Sequence, residues 1–454
     1  MDATLTNAPA PATNRWVIAI MGTLLQLCLG TVYAWSYFQK PLMEAYHWSN
    51  AQVALAFSIA ICTLGIAAAW GGINLAKYGP RKLAMLGGAL FGIGYLVGAA
   101  ALHFHSLALL YLGYGVIGGA GLGLGYVTPV ATAAKWFPDK KGLVTGMVIM
   151  GFGFGALLMS KVLAPALVQL TGANYVLIFA YLGIVFMVAT LVVASFLKNP
   201  PAGFVPKGYV PSAAVSKQQS FSNLGHKPGW CIGSGRFVMM WIVFFCNITA
   251  GIAIIGFQSP LMQDLWKKID PSLSAPALAG YGATLIAISS LFNGVGRFFW
   301  GGLSDRIGRV QTFRIMLGTQ ILVFVALIFV GNPWLFGLLI CYVLLCYGGG
   351  FGTMPSFVVD VFGPKLMAIV YGVILTAWSA AGIAGPQLFA LVKDNFPLDK
   401  AAPYSFVIGA AFLALGLACS LVFLSNKAFR CGKASCAVNP RCGAPCLAVD
   451  GAQS

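Results

Sequence analysis

The sequence predicts an all-α membrane protein with twelve transmembrane helices in two pseudo-symmetric bundles of six. Three observations carry this prediction. Only 8% of the 454 residues are charged and 59% are hydrophobic, against about 25% and about 45–50% in soluble domains. The apolar residues fall in twelve continuous runs, and motifs of the first six runs return in the last six. A soluble globule still turns much of its surface to water and has nowhere to hide such a composition. A cytoplasmic enzyme, a disordered chain and a secreted disulfide scaffold are thereby excluded.

A helix needs about 20 apolar residues to cross the hydrocarbon. From the N-terminus, runs of this kind lie at 15–38, 51–76, 83–102, 107–130, 142–165, 175–197, 236–260, 277–303, 313–331, 334–358, 367–392 and 404–425. None shows the alternation of a membrane barrel, so each is read as a helix. Residues 1–14 are polar, and the run that follows is far longer than a signal-peptide core, so it is expected to be retained. The longest polar interruption, 198–235, is rich in Pro, Gly, Ser and Lys and reads as a cytoplasmic linker. It separates an N-terminal bundle, 15–197, from a C-terminal bundle, 236–426. A cytoplasmic tail, 427–454, carries Cys431, Cys436, Cys442 and Cys446.

A net charge of +17 invites a nucleic-acid reading, but the placement of the charges argues for topology. With the N-terminus inside, 20 of the 27 Lys and Arg residues fall on cytoplasmic segments, five outside, and two, Lys161 and Arg297, within spans. That asymmetry follows the positive-inside rule, with both termini cytoplasmic and the lipid bilayer, not nucleic acid, as the partner. None of the 11 cysteines lies in an outer loop, so no structural disulfide is expected. The tail cysteines lack a C-x-x-C pair and read as a reduced tail rather than a metal site. No cofactor or metal is expected, and the spans offer no catalytic constellation, so the chain does not read as an enzyme.

The two halves repeat. Gly72-Ile73-Asn74-Leu75-Ala76-Lys77-Tyr78-Gly79-Pro80 after span 2 corresponds to Gly301-Gly302-Leu303-Ser304-Asp305-Arg306-Ile307-Gly308-Arg309 after span 8, a shift of 229. Pro129 and Gly146 correspond to Pro355 and Gly372 at a shift of 226. Two related six-helix bundles imply a site at their interface near the midplane of the bilayer.

The second loop motif resembles the signature of the major facilitator superfamily; the first copy departs from it, with Ala76 in place of the acidic residue. The resemblance implies the major facilitator fold and function by a single chain as a monomer. Glycines such as Gly72 and Gly79 allow a tight turn and close helix approach, and Asp305, Arg306 and Arg309 can latch helix ends in one conformation. The alternative is a plain turn with topogenic charges. A narrower resemblance covers 14–425. Gly30-Thr31-Val32-Tyr33-Ala34-Trp35-Ser36, Lys135-Trp136-Phe137-Pro138-Asp139-Lys140-Lys141-Gly142-Leu143, Phe292-Asn293-Gly294-Val295-Gly296-Arg297, and Pro355-Ser356 with Asp360-Val361-Phe362-Gly363 resemble the oxalate/formate antiporter family. This bacterial family is related to the monocarboxylate transporters and carries small organic acids such as oxalate, formate, pyruvate or lactate. The resemblance therefore implies an inner-membrane carrier of a small organic carboxylate anion.

Arg297 is the most informative residue. An arginine inside a span is costly and marks function by default, and its planar fork matches a carboxylate. It sits toward the cytoplasmic end of its span, so snorkelling to the interface is the competing reading. The family resemblance makes the matching arginine a substrate-carboxylate ligand. Asn293 lies one turn before it on the same face. Related monocarboxylate transporters carry an aspartate there, and an amide cannot titrate. Asp360, at a helix end, is the one carboxylate read within a span. Exchange of one anion for another then suits the sequence better than proton symport.

The family's oxalate carriers place a lysine in span 11, where this chain aligns Trp378. One cation balances one carboxylate, which favours a monocarboxylate over oxalate; Lys161, near the outer end of span 5, reads as snorkelling. Tyr33, Tyr126 and Tyr347 are expected to offer hydroxyls to the anion, and Phe152, Phe351 and Trp378 to wall the cavity. Each taken singly also suits helix packing. The leading expectation is alternating-access transport of a monocarboxylate such as lactate, pyruvate or formate by anion exchange. Oxalate/formate antiport, proton-coupled symport, drug efflux and an organic-acid sensor without transport are the alternatives.

Overall fold

In a computed structural model, the described residues are 14–201, 204–206, 228–363 and 366–423. Residues 1–13, most of the linker, Pro364, Lys365 and the tail with its four cysteines lie outside them. The described residues contain twelve helices long and apolar enough to span a membrane: α1 (Arg15–Tyr46), α2 (Asn50–Tyr78), α3 (Pro80–His103), α4 (Leu107–Trp136), α5 (Leu143–Thr171), α6 (Tyr175–Ala194), α7 (Gly235–Ile269), α8 (Ala275–Ile307), α9 (Arg309–Phe329), α10 (Pro333–Phe362), α11 (Met367–Asn395) and α12 (Lys400–Val422). A short helix, Pro228–Ile232, leads into α7.

Side-chain caps set many of the starts. Ser49 accepts from the Gln52 amide while the Gln52 side chain bonds back, a capping box that opens α2. Asn174, Ser234, Ser274 and Asn332 cap α6, α7, α8 and α10 through their own side chains. Pro276 and Pro333 occupy first-turn positions, where their missing N–H costs nothing. The repeat reappears at the ends of α2 and α8. Gly79 (φ +77°) and Gly308 (φ +88°) close these helices in a conformation that side chains with a Cβ rarely adopt.

Helix lengths exceed the apolar runs. The 35 residues of α7 reach about 52 Å, well beyond a hydrocarbon core of about 30 Å. Its last turns therefore carry Asp264, Lys267 and Lys268, which the run ending at 260 leaves to a loop. Asp394 likewise belongs to the end of α11. The reading that Asp360 is the one carboxylate within a span is corrected accordingly: helix hydrogen bonds continue into the interface, where charged side chains reach water.

Three seams join the halves: α1 with α7, α2 with α11, and α5 with α8. Small residues make them possible. A Cβ on Gly153 would lie 2.7 Å from the Gly294 Cα, so α5 and α8 touch backbone to backbone. Outward faces are apolar, as Val185, Val188 and Val192 of α6 and Leu322 and Phe329 of α9 show, matching a lipid surround. One end of the bundle carries Arg15, Lys77, Arg81, Arg306 and Arg309 and is called the basic face below; the opposite end is the far face.

Candidate functional site

Arg297 stands ten residues from the basic end of α8, about 15 Å along the axis. Helical side chains lean toward the N-terminus, so its guanidinium is carried deeper, away from the basic face. It is 1% exposed. The snorkelling alternative fails on this burial. Its three guanidinium nitrogens make no hydrogen bond, and none of the ion pairs among the described residues involves it. Two rings face it: the guanidinium carbon is 5.2 Å from the centre of Phe351 and 5.9 Å from that of Phe152. Cation–π contacts of this kind recover part of the cost of desolvation, while the directional N–H groups stay unused.

The aromatic residues singled out in the sequence assemble around this cation from five helices of both halves. Tyr33 of α1 lies against Phe152 of α5, Tyr347 of α10 and Trp378 of α11, with ring centres 5.0, 5.8 and 6.2 Å apart. Tyr126 of α4 packs on Phe152 at 5.2 Å and on Trp378 at 5.3 Å. Phe351 completes the box, 4.7 Å from Trp378 and 5.2 Å from Tyr347. All six rings are 2% exposed or less. The Tyr33 and Tyr347 hydroxyls bond at 2.6 Å across the two halves. A 3-10 stretch, Gly30–Ala34, breaks the regular register of α1 where Tyr33 projects, and Gln26 donates to the Tyr126 carbonyl at 2.9 Å, fixing α1 against α4.

The chemistry of the box is lopsided. Besides the guanidinium, the Tyr126 and Tyr371 hydroxyls and the Trp378 indole N–H are buried without hydrogen bonds. The Tyr126 hydroxyl lies near both the guanidinium and Tyr371, a residue not singled out in the sequence, but short of bonding geometry to either. A cation and several donors with no carboxylate among them suit an anion.

Asn293 is 1% exposed, and its Oδ1 makes no hydrogen bond. It borders a cavity of about 10 Å³ with Tyr33, Gln258, Ser289 and Ser290, room for a group the size of one water. Sequence reasoning passes over the last three because uncharged polar residues in spans often bond within their own helix. The signal available is the polar pair Gln258-Ser259 at the end of the apolar run 250–257 of α7. Ser290 clasps the halves, donating to the Gly153 carbonyl at 2.5 Å and accepting from the Leu157 amide at 3.2 Å.

Both faces are closed over the box. On the far face the Asp264 carboxylate bonds Lys40 of α1 at 2.7 Å and Lys393 of α11 at 2.8 Å. Asp394 accepts from the Asn50 and Ala51 amides at the start of α2, at 3.2 and 2.9 Å. Lys161 donates to Thr284 Oγ1 at 2.7 Å from an exposed position, outside the box.

On the basic face, a Cβ on Gly72 would come within 2.8 Å of the Ala368 carbonyl, so α2 packs directly on α11. The pairs of Arg309 stay within the second half. It meets Asp305 at 2.5 Å, Asp360 at 3.0 Å and the Ser304 hydroxyl, tying α8, α9 and α10 together. Arg306 is exposed, and Gly79 serves the turn with open space around it. Of the latch residues named from sequence, Gly72 is therefore the one in contact across the halves. Arg15 grips Asp139 with two bonds, at 2.6 and 3.0 Å, and holds its carboxyl below the ordinary carboxylate range.

Twelve spans in two halves with a buried cation between them define a membrane transporter, and similarity to known proteins gives its family. The chain belongs to the Major Facilitator Superfamily, whose profile matches residues 17–386. It is similar to the oxalate:formate antiporter of Oxalobacter formigenes, 28% identical over 412 residues, 89% of this chain and 91% of the relative. The apicoplast pyruvate carrier 1 of Toxoplasma gondii is 28% identical over 487 residues, covering 85% of each. The crystal structure of a D-xylose-proton symporter shares the fold, with a TM-score of 0.65 at 16% identity over 89% of this chain and 96% of that one.

Proposed function

We propose that this protein is a secondary active transporter of small monocarboxylates, working by alternating access and exchanging one anion for another across a bacterial inner membrane. One observation carries the reading: a guanidinium 1% exposed, without hydrogen bond or ion pair, inside an aromatic box built from both halves. A carboxylate laid against it gains two parallel charge-assisted hydrogen bonds. Tyr126, Tyr371 and Trp378 supply further donors, and the rings keep out water that would weaken the pairing.

Substrate on either leg of the cycle neutralises Arg297, which makes exchange self-sufficient. Asn293 beside it cannot titrate, so no proton needs to accompany the anion. Trp378 and the distant Lys161 leave one cation at the centre, and this favours one carboxylate per substrate. A single chain supplies every member of the box, so a monomer suffices. The positive-inside distribution supports a cytoplasmic basic face and cytoplasmic termini.

Counterflow in proteoliposomes loaded with lactate, pyruvate, formate or oxalate tests this. Uptake of labelled monocarboxylate that requires internal monocarboxylate and ignores an imposed pH gradient is the expected result. Uptake driven by the pH gradient would replace exchange by proton symport, and silence with every acid would remove the carboxylate reading.

A further inference from the structure

We propose that Gln258 and Ser289 read the second carbon of the transported acid, so that the carrier selects short monocarboxylates with a hydroxyl or oxo group there over unsubstituted acids. The proposal rests on the reading of Arg297 as the carboxylate ligand. It adds a second contact point, the polar cavity on the far side of Asn293.

Ser289, Asn293 and Arg297 recur every four residues on α8 and share one face. Ser289 is eight residues, about 12 Å of axial rise, nearer the far face than Arg297, and the Arg297 side chain leans toward it. The cavity that Gln258, Ser289 and Asn293 line therefore lies on the side of Arg297 toward which its side chain leans, where the remaining atoms of a short acid would extend. Both helices place these groups deep in the bundle, with Gln258 at 2% and Ser289 at 1% exposure.

The cavity is chemically selective. Ser289 Oγ lies 2.7 Å from Gln258 Oε1 and 3.2 Å from the Ile286 carbonyl; given to the shorter contact, its single proton turns the amide nitrogen of Gln258 away from the serine. Among the described residues Gln258 Nε2 makes no hydrogen bond, and Asn293 Oδ1 is buried without one. One unused donor and one unused acceptor beside the same small space match a hydroxyl, and the donor alone matches an oxo group. The volume, about 10 Å³, suits one such oxygen. Ile255, Ile286 and Leu344 form the other walls, so an ionised second carboxylate would lie there without a cation. A methylene would leave the amide unbonded, and sites built to hydrogen-bond a substituent reject analogues that lack it.

Lactate and propionate differ by one hydroxyl at the second carbon, and pyruvate carries an oxo group there. Competition of each against labelled counterflow in proteoliposomes is the test. The wild type is expected to prefer lactate and pyruvate over propionate by about tenfold or more. In Gln258→Leu that ratio is expected to fall to about one; Ser289→Ala, which releases the amide from that orientation, is expected to move it the same way.

Equal handling of the three acids by the wild type would overturn the proposal. So would a loss in Gln258→Leu and Ser289→Ala that lowers all three alike, the mark of a packing role. Thermal melting of each variant shows whether it is folded, and Ser289→Ala keeps the test alive if Gln258→Leu is not. Failure of the underlying reading looks different: no acid moves, or Arg297→Gln leaves uptake intact, and the proposal goes with it.

Discussion

Tyr33 and Tyr347, 314 residues apart and in opposite halves, share a hydrogen bond of 2.6 Å at the centre of the molecule. Both are buried, and each hydroxyl has the other as its bonded partner. Deleting one hydroxyl leaves its partner unbonded, at a cost of about 1–3 kcal/mol. Deleting both removes the orphan as well as the bond. Tyr33→Phe and Tyr347→Phe are therefore expected to lower the melting temperature singly, while the double variant loses less than their sum. Strict additivity in detergent melts would mean that the two phenols do not interact in solution.

Arg297 is expected to be dispensable for folding and indispensable for transport. A buried charge without a hydrogen-bonded partner contributes little to stability, so Arg297→Gln should keep or raise the melting temperature while abolishing carboxylate-dependent uptake. Arg297→Lys retains the charge but loses the planar fork, and uptake should fall at least about tenfold if two parallel bonds are made. Normal uptake by Arg297→Gln would remove this residue from the site.

Asp264 bonds Lys40 and Lys393 and so closes α1, α7 and α11 together on the far face. The group is one-third exposed, so its pairing is partly screened and worth about 1 kcal/mol, roughly a fivefold shift between closed and open far faces. Asp264→Asn is expected to speed the labelling of an Ile255→Cys probe by an impermeant maleimide several-fold, in a background without native cysteines. High salt should do the same to the parent. An unchanged rate in both experiments would show that Asp394 and packing alone hold this face.

The spans are legible because bilayer crossing imposes a composition that soluble folding does not. Their ends are less so. Asp264 lies beyond the apolar run that ends at 260, yet α7 continues through it to Ile269, because charged residues at an interface keep their helical bonds. Arg297 stands out through its charge alone. Its setting does not follow from spacing, since Tyr33, Tyr126, Phe152, Tyr347 and Trp378 come from separate helices; family resemblance supplies that grouping. Tyr371, Gln258 and Ser289 carry no such mark, because an uncharged polar side chain is tolerated in any span. The partner of Arg309 on α10, Asp360, is a tertiary contact that the loop motif does not contain.

Trp378 offers the sharpest test of charge matching. It is fully buried, 4.7 Å from Phe351 and 5.3 Å from Tyr126, and both Tyr33 and Phe152 pack on it. A lysine in its place would put a second cation in the box that holds Arg297. Two like charges in a low-dielectric site repel unless an anion of matching charge lies between them. Trp378→Lys is therefore expected to bring inhibition of counterflow by oxalate and to slow exchange of monocarboxylates, whose single charge leaves one cation unpaired. A folded variant that exchanges lactate as before and remains blind to oxalate would show that the count of central cations does not set selectivity.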